Sequence, residues 1–236
     1  MFPMKKTNTI MVFDVETSGL LPKNITQTKQ NIEQFPYILQ LSYIIYDIKN
    51  NRCIKTFDSF INVPQRICIS EVITDLTGIT REKCDTGMNI LSALRLFHSD
   101  FVMCDKIIAH NIRFDRQMML VEMMRNSDII SKTVPSIFTI FNKRYMENYQ
   151  IETYCTMTNG INVCNIQVES KTGGKPYKKW PKLDELYSYL FKMEAPDNLH
   201  NSLVDTMVCL RCYLNMNDNI KINERKFTRM LQSVES

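Results

Sequence analysis

The stretch FDVETSGL, residues 13–20, decides how this sequence is interpreted. It ends an apolar run that begins at Ile10, a pattern typical of a β-strand. Side chains two residues apart in a strand share a face and lie roughly 6.6 Å from one another. The pattern therefore predicts that Asp14 and Glu16 point the same way. Like charges at that separation repel, and burial raises their cost, unless a cation lies between them.

The acidic pair alone leaves two interpretations open. Paired carboxylates at a strand end indicate a divalent-metal site. An Asp-x-Glu sequence also occurs by chance on exposed strand faces, where acidic residues maintain solubility. The residues downstream of the pair are needed to decide between these interpretations.

Length and composition predict a single folded domain over residues 1–236, with a core of about 8–215 and a basic helical tail over 216–236. Hydrophobic residues make up 44% of the chain and charged residues 23%, which is ordinary globular usage. The net charge of +4 permits a polyanionic partner without requiring one. We find no internal repeat or interdomain linker.

Cysteine usage and the N-terminal residues predict an intracellular, cytoplasmic protein. The eight cysteines are scattered, and residues 1–6 lack the apolar segment of a signal peptide. Without a run of 18 apolar residues, we expect no membrane contact. Cys209 and Cys212 form a Cys-x-x-Cys pair inside an apolar helical pattern, which favours core packing over zinc binding.

Hydrophobic patterning predicts an α/β fold in which a mixed sheet is flanked by helices. The sheet is expected to begin with three strands, of which the second and third form an antiparallel hairpin. These strands are Asn8–Val15, Tyr37–Asp47 and Cys53–Ile61. A further strand is expected at Lys106–His110. Predicted helices are Asn89–Met103, Phe114–Met124, Val134–Tyr145, Leu183–Phe191, Leu199–Leu214 and one from Asn223, and Thr80 is expected to cap a helix. Residues Thr153–Gln167 are expected to be irregular, with a short strand as a further possibility.

Two further groups of polar residues lie where strands end and helices begin, which is where α/β sheets place their ligands. The first runs from His110 to Asp115 and the second from His200 to Asp205. Five residues of a helix turn roughly 500°, so His200 and Asp205 reach one site only if His200 precedes the helix. Taken singly, Asp115 could instead be an acid favoured by the helix dipole, and His200 could be a capping or packing residue.

FDVETSGL, IIAHNIRFDRQMML and HNSLVD occur in this order and resemble the three motifs of the DEDDh-type 3′–5′ exonucleases, the family of polymerase proofreading subunits and RNase T. Thr77-Gly78-Ile79-Thr80 and the PKL and LY segments of residues 181–187 resemble further parts of that family. The resemblance covers about residues 8–215. It implies a ribonuclease H-like fold and an exonuclease that uses two metal ions.

The resemblance also assigns roles to individual residues. Asp14, Glu16, Asp115 and Asp205 match the four acidic positions that bind two divalent cations, Mg²⁺ or Mn²⁺. His200 matches the histidine that takes a proton from the attacking water. Residues Thr17, Ser18, Gly19 and Leu20 are expected to hold the terminal nucleotide, with His110 and Asn111 supporting the site.

Two segments depart from the family pattern. The loop over residues 21–36 is longer than the family's short members need. The basic stretch 171–182 looks like an addition to the common core, and it holds Lys175, Tyr177, Lys178, Lys179 and Trp180. A groove of lysines and aromatic residues suits single-stranded nucleic acid. A solvated surface loop is the equally open alternative.

These observations predict an enzyme that removes nucleotides from the 3′ end of single-stranded or frayed DNA and releases nucleoside 5′-monophosphates. A DNA polymerase is a candidate partner. The first alternative is an exonuclease that trims RNA, because a pocket for the 2′-hydroxyl cannot be read from sequence. The second is a non-catalytic binding module, which predicts that at least one carboxylate is missing.

Overall fold

A computed structural model describes residues 8–170, 173–217, 220 and 222–232. The N-terminal residues 1–7 lie outside the described residues, as do Lys171 and Thr172 of the basic stretch and parts of the C-terminal tail. Within the described residues, no helix is both long and apolar enough to cross a membrane.

Strands dominate the first third of the chain, and helices dominate the remainder. The elements are β1 (Thr9–Thr17), β2 (Ile38–Asp47), β3 (Arg52–Asn62), α1 (Glu71–Thr77), α2 (Arg81–Asp85), β4 (Met88–Asn89), α3 (Ile90–Phe101), β5 (Lys106–Ala109), α4 (Ile112–Arg125) and α5 (Ser127–Thr133). They continue with α6 (Lys143–Tyr149), β6 (Glu152–Cys155), α7 (Thr156–Cys164), β7 (Gln167–Val168), β8 (Tyr177–Lys178), α8 (Leu183–Phe191), α9 (Ser202–Asn217) and α10 (Glu224–Gln232).

Six strands form the main sheet in the order β4-β3-β2-β1-β5-β6. β2 runs antiparallel to both of its neighbours, β1 and β3. On the other side of β1, β5 runs parallel to β1 and β6 runs parallel to β5. The predicted mixed sheet with an N-terminal hairpin is therefore confirmed. β1 pairs with β5 on one edge at Ile10–Val12 and with β2 on the other edge along its whole length, so β2 alone pairs with the strand at Asp14 and Glu16.

The two faces of the sheet are covered by different helices. Met11, Phe13 and Val15 of β1 point to one face and pack in a buried cluster with α3 and α4. Ile10 and Val12 point to the other face and pack in a second cluster with α8, α9 and α10. This alternation is the period-two pattern of a strand that is buried on both sides.

Several local expectations are confirmed. The Thr80 hydroxyl caps α2 by accepting the N–H of Lys83. Cys209 and Cys212 of α9 are buried in the core as predicted, and the methionines of α4 at 118, 119 and 123 are buried there too. A helix is present in the tail as predicted, and α10 packs into the second cluster through Phe227.

Two predicted segments are wrong. The single helix expected over Val134–Tyr145 is instead a 3₁₀ turn at Pro135–Thr139 followed by α6. The break lies at Phe141, which has a positive φ of 54°, and the Asn142 side chain caps α6 by accepting the N–H of Tyr145 at 3.0 Å. Burial of the Phe141 ring in the core is favoured over continuation of the helix at this position.

In the region Thr153–Gln167, β6 is the short strand that the sequence left open, but α7 is a helix where irregular structure was expected. Gly160 lowers helix propensity in the middle of α7. A Cβ atom at Gly160 would lie 2.9 Å from Cγ of Pro181, so glycine allows the helix to approach the segment before α8. Tertiary packing therefore overrides a weak local signal.

Candidate active site

The site forms where the end of β1 meets the start of α9. Because Asp14 and Glu16 continue the face that carries Ile10 and Val12, their carboxylates point toward the layer that contains α9. Asp205 lies in the first turn of α9. Oxygen atoms of Asp14, Glu16 and Asp205 lie within 4.8 Å of one another, and all three residues are half-buried.

Hydrogen bonds at the start of α9 fix its position against β1. The Ser202 hydroxyl donates to the backbone carbonyl of Asp14 at 2.8 Å. The Asn201 side-chain oxygen accepts the N–H of Leu203 at 3.1 Å, which satisfies an otherwise unpaired group at the helix start. These contacts hold Asp205 beside Asp14.

His200 lies in the loop before α9, the position that the predicted site requires. Its φ of 73° places it in the left-handed region, and the helix begins two residues later than His200. The His200 N–H donates to both carboxylate oxygens of Asp205, at 3.3 and 3.4 Å. The residue is exposed, so the imidazole is accessible from solvent at the rim of the acidic group.

Asp115 approaches from the opposite layer, in the first turn of α4. It is only 2% exposed, and its Oδ1 accepts the backbone N–H of Val15 at 3.3 Å. The bond joins α4 to the strand residue between the two acidic positions of β1. Asp115 is not one of the three residues whose carboxylate oxygens lie within 4.8 Å of one another. Its bond to Val15 places it beside that group.

Burial raises the pKa of every one of these four carboxyl groups. The pKa of Asp14 rises to about 7, opposed by a hydrogen bond from Ser202. Burial, with the charges of Asp14 and Asp205, raises the pKa of Glu16 to about 9. Burial and the charge of Asp14 raise the pKa of Asp205 to about 8, and the same two causes raise the pKa of Asp115.

These residues fit divalent cations such as Mg²⁺ and Mn²⁺. Such ions prefer hard oxygen ligands, and the described site offers carboxylates alone. Burial is the first cause of the raised pKa values, and repulsion by the charge of Asp14 adds to it at the other three carboxyl groups. A cation among them would remove that repulsion and favour the ionised forms.

The supporting residues of the second motif are structural in this fold. The Pro181 carbonyl accepts a hydrogen bond from Nε2 of His110 at 3.2 Å, and Nδ1 therefore accepts from the Thr156 hydroxyl at 2.9 Å. Burial lowers the pKa of His110 to about 4, so the ring is neutral at pH 7. Asn111, with a φ of 68°, turns the chain into α4.

The residues that follow β1 form an ordered turn. Two hydrogen bonds of 2.9 Å join Ser18 to Tyr37. The Ser18 N–H donates to the Tyr37 carbonyl, and the Tyr37 N–H donates to the Ser18 hydroxyl. The Thr17 hydroxyl donates to the Gly19 carbonyl at 2.7 Å. Leu20 is 88% exposed, and a Cβ atom at Gly19 would meet nothing within 4 Å. The turn is thus rigid at Ser18 and open beyond it.

Within the described residues, β8 of the basic stretch pairs with β7, which precedes that stretch, in a short antiparallel hairpin. Lys175, Tyr177, Lys178 and Trp180 are exposed, and Lys179 is half-buried. The Lys179 ammonium pairs with Glu185 at 2.5 Å, and Lys178 Nζ donates to the Asn162 side chain at 3.4 Å. The hairpin leads directly to Pro181, which contacts His110.

Sequence reasoning missed a polar group on β2 beside the acidic pair. Gln40 lies opposite Glu16 and Ser42 opposite Asp14 in the β1–β2 register, and residues opposite one another share a face. The side chains of Gln40 and Ser42 both donate to Asp58, at 2.8 and 2.6 Å. The available signal was the presence of two polar residues inside an otherwise apolar strand.

Comparison with known proteins identifies the family. The family model for exonucleases of the RNase T type matches residues 11–213. The chain belongs to this exonuclease family. The resemblance to DEDDh exonucleases, the ribonuclease H-like fold and the assignment to the exonuclease class of enzymes are thereby confirmed.

Curated relatives and solved structures extend this comparison. The chain is 28% identical over 151 residues to a PolC-type DNA polymerase III of Bacillus subtilis, covering 62% of this chain and 9% of the polymerase. It therefore spans about a tenth of the length of the curated relatives it matches.

Among solved structures, the nuclease domain of 3′hExo, a DEDDh family member bound to rAMP, has a TM-score of 0.59 and 14% identity, covering 92% of this chain and 97% of that one. Escherichia coli exonuclease I with a dT13 oligonucleotide has a TM-score of 0.58 and 16% identity, covering 90% of this chain and 42% of that one. At these sequence identities, both similarities show a shared fold.

The raised pKa values predict how stability depends on pH without metal. Between the ordinary pKa of a carboxyl group, about 4, and the values of about 7 to 9 in the fold, the native state binds more protons than the unfolded state. The free energy of unfolding therefore falls as pH rises through that window. We expect Tm in EDTA to fall from pH 5 to 9, and Mn²⁺ to remove most of the fall.

Asp14→Asn should weaken this pH dependence, because it removes one of the repelling charges. At pH 8 in EDTA, its Tm should exceed that of the wild type by about 4 °C, given ~2–4 °C per kcal/mol for a chain of this size. Thermal scans with and without Mn²⁺ measure both effects. Asp75→Asn on α1, an exposed acid, is the matched control and should follow the wild type. An unchanged pH dependence in Asp14→Asn would contradict the electrostatic account.

Proposed function

We propose that this chain is a metal-dependent 3′–5′ exonuclease that hydrolyses the last phosphodiester bond of a single-stranded or frayed DNA end. The convergence of Asp14, Glu16 and Asp205 within 4.8 Å carries the proposal. Asp115 and His200 contact the same elements, through Val15 and Asp205. Membership of the exonuclease family supports the reaction class.

The four carboxylates are proposed to hold two divalent ions, Mg²⁺ or Mn²⁺. When bound, such a pair supplies an activated water and stabilises the charge on the leaving oxygen of a phosphodiester. Asp14 is the acid whose charge raises the pKa of the other three, and Asp115 bonds to Val15, the residue after Asp14 on β1. It is therefore the residue best placed to contact both ions. Glu16 and Asp205 would serve the nucleophile side and Asp115 the leaving-group side.

His200 is proposed as the general base. Its imidazole would accept the proton of the attacking water, the task that histidine most often performs in general acid–base catalysis. The backbone N–H of His200 donates to Asp205, so the ring projects from a residue tied to the acidic group. Its exposure lets the proton pass on to solvent.

The turn after β1 is proposed to hold the terminal nucleotide. Thr17 and Ser18 have fixed positions through their bonds to Gly19 and Tyr37. The open space at Gly19 lets a nucleotide approach the backbone. Leu20 leaves a large apolar side chain in water, and it could instead lie against the terminal base. His110 and Asn111 support this arrangement by fixing the start of α4.

DNA is the substrate that the relatives favour, and RNA is the alternative. One relative is a PolC-type DNA polymerase, and one similar structure is an exonuclease with a bound dT13 oligonucleotide. The alignment with a polymerase also makes a DNA polymerase the candidate partner. The 3′hExo nuclease domain is bound to rAMP, which keeps RNA open. A non-catalytic binding module is disfavoured because all four carboxylates and the histidine are present.

The activity is tested with a 3′-labelled oligonucleotide and Mg²⁺. We expect the first labelled product to be a nucleoside 5′-monophosphate. Asp14→Asn should lower kcat/KM by ~10³-fold or more, since metal contacts provide several kcal/mol of charge stabilisation. Asp75→Asn is the control and should retain full activity. Matched DNA and RNA strands then decide the substrate. Longer labelled products, or release that persists in Asp14→Asn, would overturn the proposal.

His200→Ala separates a general base from a metal ligand. We expect kcat to fall ~10²- to 10⁴-fold, the usual contribution of general-base catalysis. The part of the pH dependence of kcat that comes from the base should disappear, while the rise in Tm on adding Mn²⁺ remains. If the variant loses the Mn²⁺-dependent rise in Tm, His200 binds metal and is not the base.

A further inference from the structure

We infer that the β7–β8 hairpin is a stacking platform for single-stranded nucleic acid, on which Tyr177 and Trp180 contact bases on the 5′ side of the terminal nucleotide. The inference rests on the proposed function, because it takes the substrate to be a single strand with its 3′ end at the carboxylates. It adds a second binding surface that would make hydrolysis depend on strand length.

Exposure of the two aromatic rings is the first observation. Tyr177 is 55% exposed and Trp180 is 60% exposed. Flat aromatic surfaces of this kind stack on bases of any sequence, and each base contact contributes ~1–3 kcal/mol. The chain from Tyr177 to Trp180 spans at most roughly 10 Å, and Trp180 lies beyond the regular strand β8, so strand alternation does not place the two rings on opposite faces and they can contact different bases. Paired bases in a duplex do not present free faces, and the platform therefore selects an unpaired strand.

The backbone next to Trp180 is fixed, which prepares the ring for binding. Pro181 is buried, and its carbonyl accepts the His110 hydrogen bond at 3.2 Å. On the other side, Pro181 packs so closely on α7 that a Cβ atom at Gly160 would lie 2.9 Å from it. Because the chain is held from two directions, little backbone entropy remains to be lost when a base binds.

Further contacts fix the segment between the platform and α8. Glu185 accepts the backbone N–H of Lys182 at 2.8 Å through one oxygen and the Lys179 ammonium at 2.5 Å through the other. Both sides of the Trp180–Pro181 pair are thereby joined to the first turn of α8. The platform is part of the packed structure at its Trp180 end.

The platform lies beside the acidic group. His110, which bonds to Pro181, follows β5, and β5 is the neighbour of β1 in the sheet. Leu186 and Tyr187 of α8 pack in the same buried cluster as Val12 of β1 and Val204 of α9. The start of α8 therefore lies near the carboxylates, and a strand that leaves them can reach Trp180.

The charge of this surface suits a nucleic acid backbone. Lys175, Lys178, Lys179 and Lys182 lie within eight residues, and all but Lys179 are exposed. Lys179 is partly neutralised by Glu185, and Glu169 adds an exposed negative charge on the other side of the hairpin. Lys175, Lys178 and Lys182 then remain as positive charges before, between and after the two aromatic residues. Such charges attract phosphates between stacked bases.

Fluorescence tests the platform directly, because Trp180 is the only tryptophan of the chain. The Asp14→Asn variant, in which hydrolysis is blocked, is titrated with a DNA strand of about twelve nucleotides. Tryptophan emission and the anisotropy of a labelled strand are followed in parallel. We expect quenching of the emission with the same midpoint as the anisotropy change. Binding without any change in emission would overturn the inference, and so would a strand that does not bind at all.

Kinetics separate this inference from the proposed function. In the active chain, Trp180→Ala and Tyr177→Ala should each raise the KM for the long strand, relative to the KM for a dinucleotide, by ~5- to 100-fold. Trp180→Phe should keep most of the affinity because it keeps a stacking ring. Tyr189→Ala on α8, which removes a tyrosine that is 45% exposed, is the control and should leave the ratio unchanged.

The outcomes distinguish the two claims. If the wild type hydrolyses 3′ ends but the KM ratio is the same in all variants, only the platform is wrong. An equal loss on the dinucleotide and the long strand would mean that Trp180 stabilises the fold and would also overturn the platform. If the wild type hydrolyses nothing, the proposed function fails, and the fluorescence titration still shows whether the platform binds a strand.

Discussion

The packing of α9 against the central strand is the constraint on which the site depends. Val204 and Val208 of α9 are fully buried in the cluster that contains Val12 of β1. Burial of apolar side chains on this scale contributes ~1.5–3 kcal/mol per residue. That gain offsets the cost of bringing Asp205 next to two other carboxylates. The fold thus holds together charges that would separate if the helix were free to move.

The second layer completes the site from the other side of the sheet. Asp115 belongs to α4, whose methionines pack in the opposite cluster, yet its carboxylate reaches the backbone of Val15. His110 then joins the start of α4 to α7 and to the segment before α8 through Thr156 and Pro181. Residues from both layers meet only at the end of β1, and this explains why the acidic residues are far apart in sequence.

Much of this arrangement could be predicted from the sequence because it follows local periodicity. The strand alternation placed Asp14 and Glu16 on one face, and the geometry of a helix required His200 to precede α9. Features that depend on distant contacts could not be predicted. The helix α7 contains a glycine that only the approach of Pro181 explains, and Phe141 interrupts a helical pattern because its ring is buried in the core.

The polar residues of β2 show the same limit at the site itself. Gln40 and Ser42 are buried beside the acidic pair and share Asp58 as acceptor, but their importance depends on the β1–β2 register. The Asp115–Val15 bond likewise joins residues a hundred positions apart. Sequence motifs identified the chemistry of the site, whereas the contacts that hold its residues in place required the structure.

The central claim is that these carboxylates hold two divalent ions in contact with Asp14. Anomalous diffraction from crystals soaked with Mn²⁺ and a nucleoside 5′-monophosphate measures this directly. The account predicts two peaks separated by ~3.5–4 Å, both next to Asp14, with Glu16, Asp205 and Asp115 around them. Peaks that lie elsewhere, or a single ion that does not contact Asp14, would contradict it.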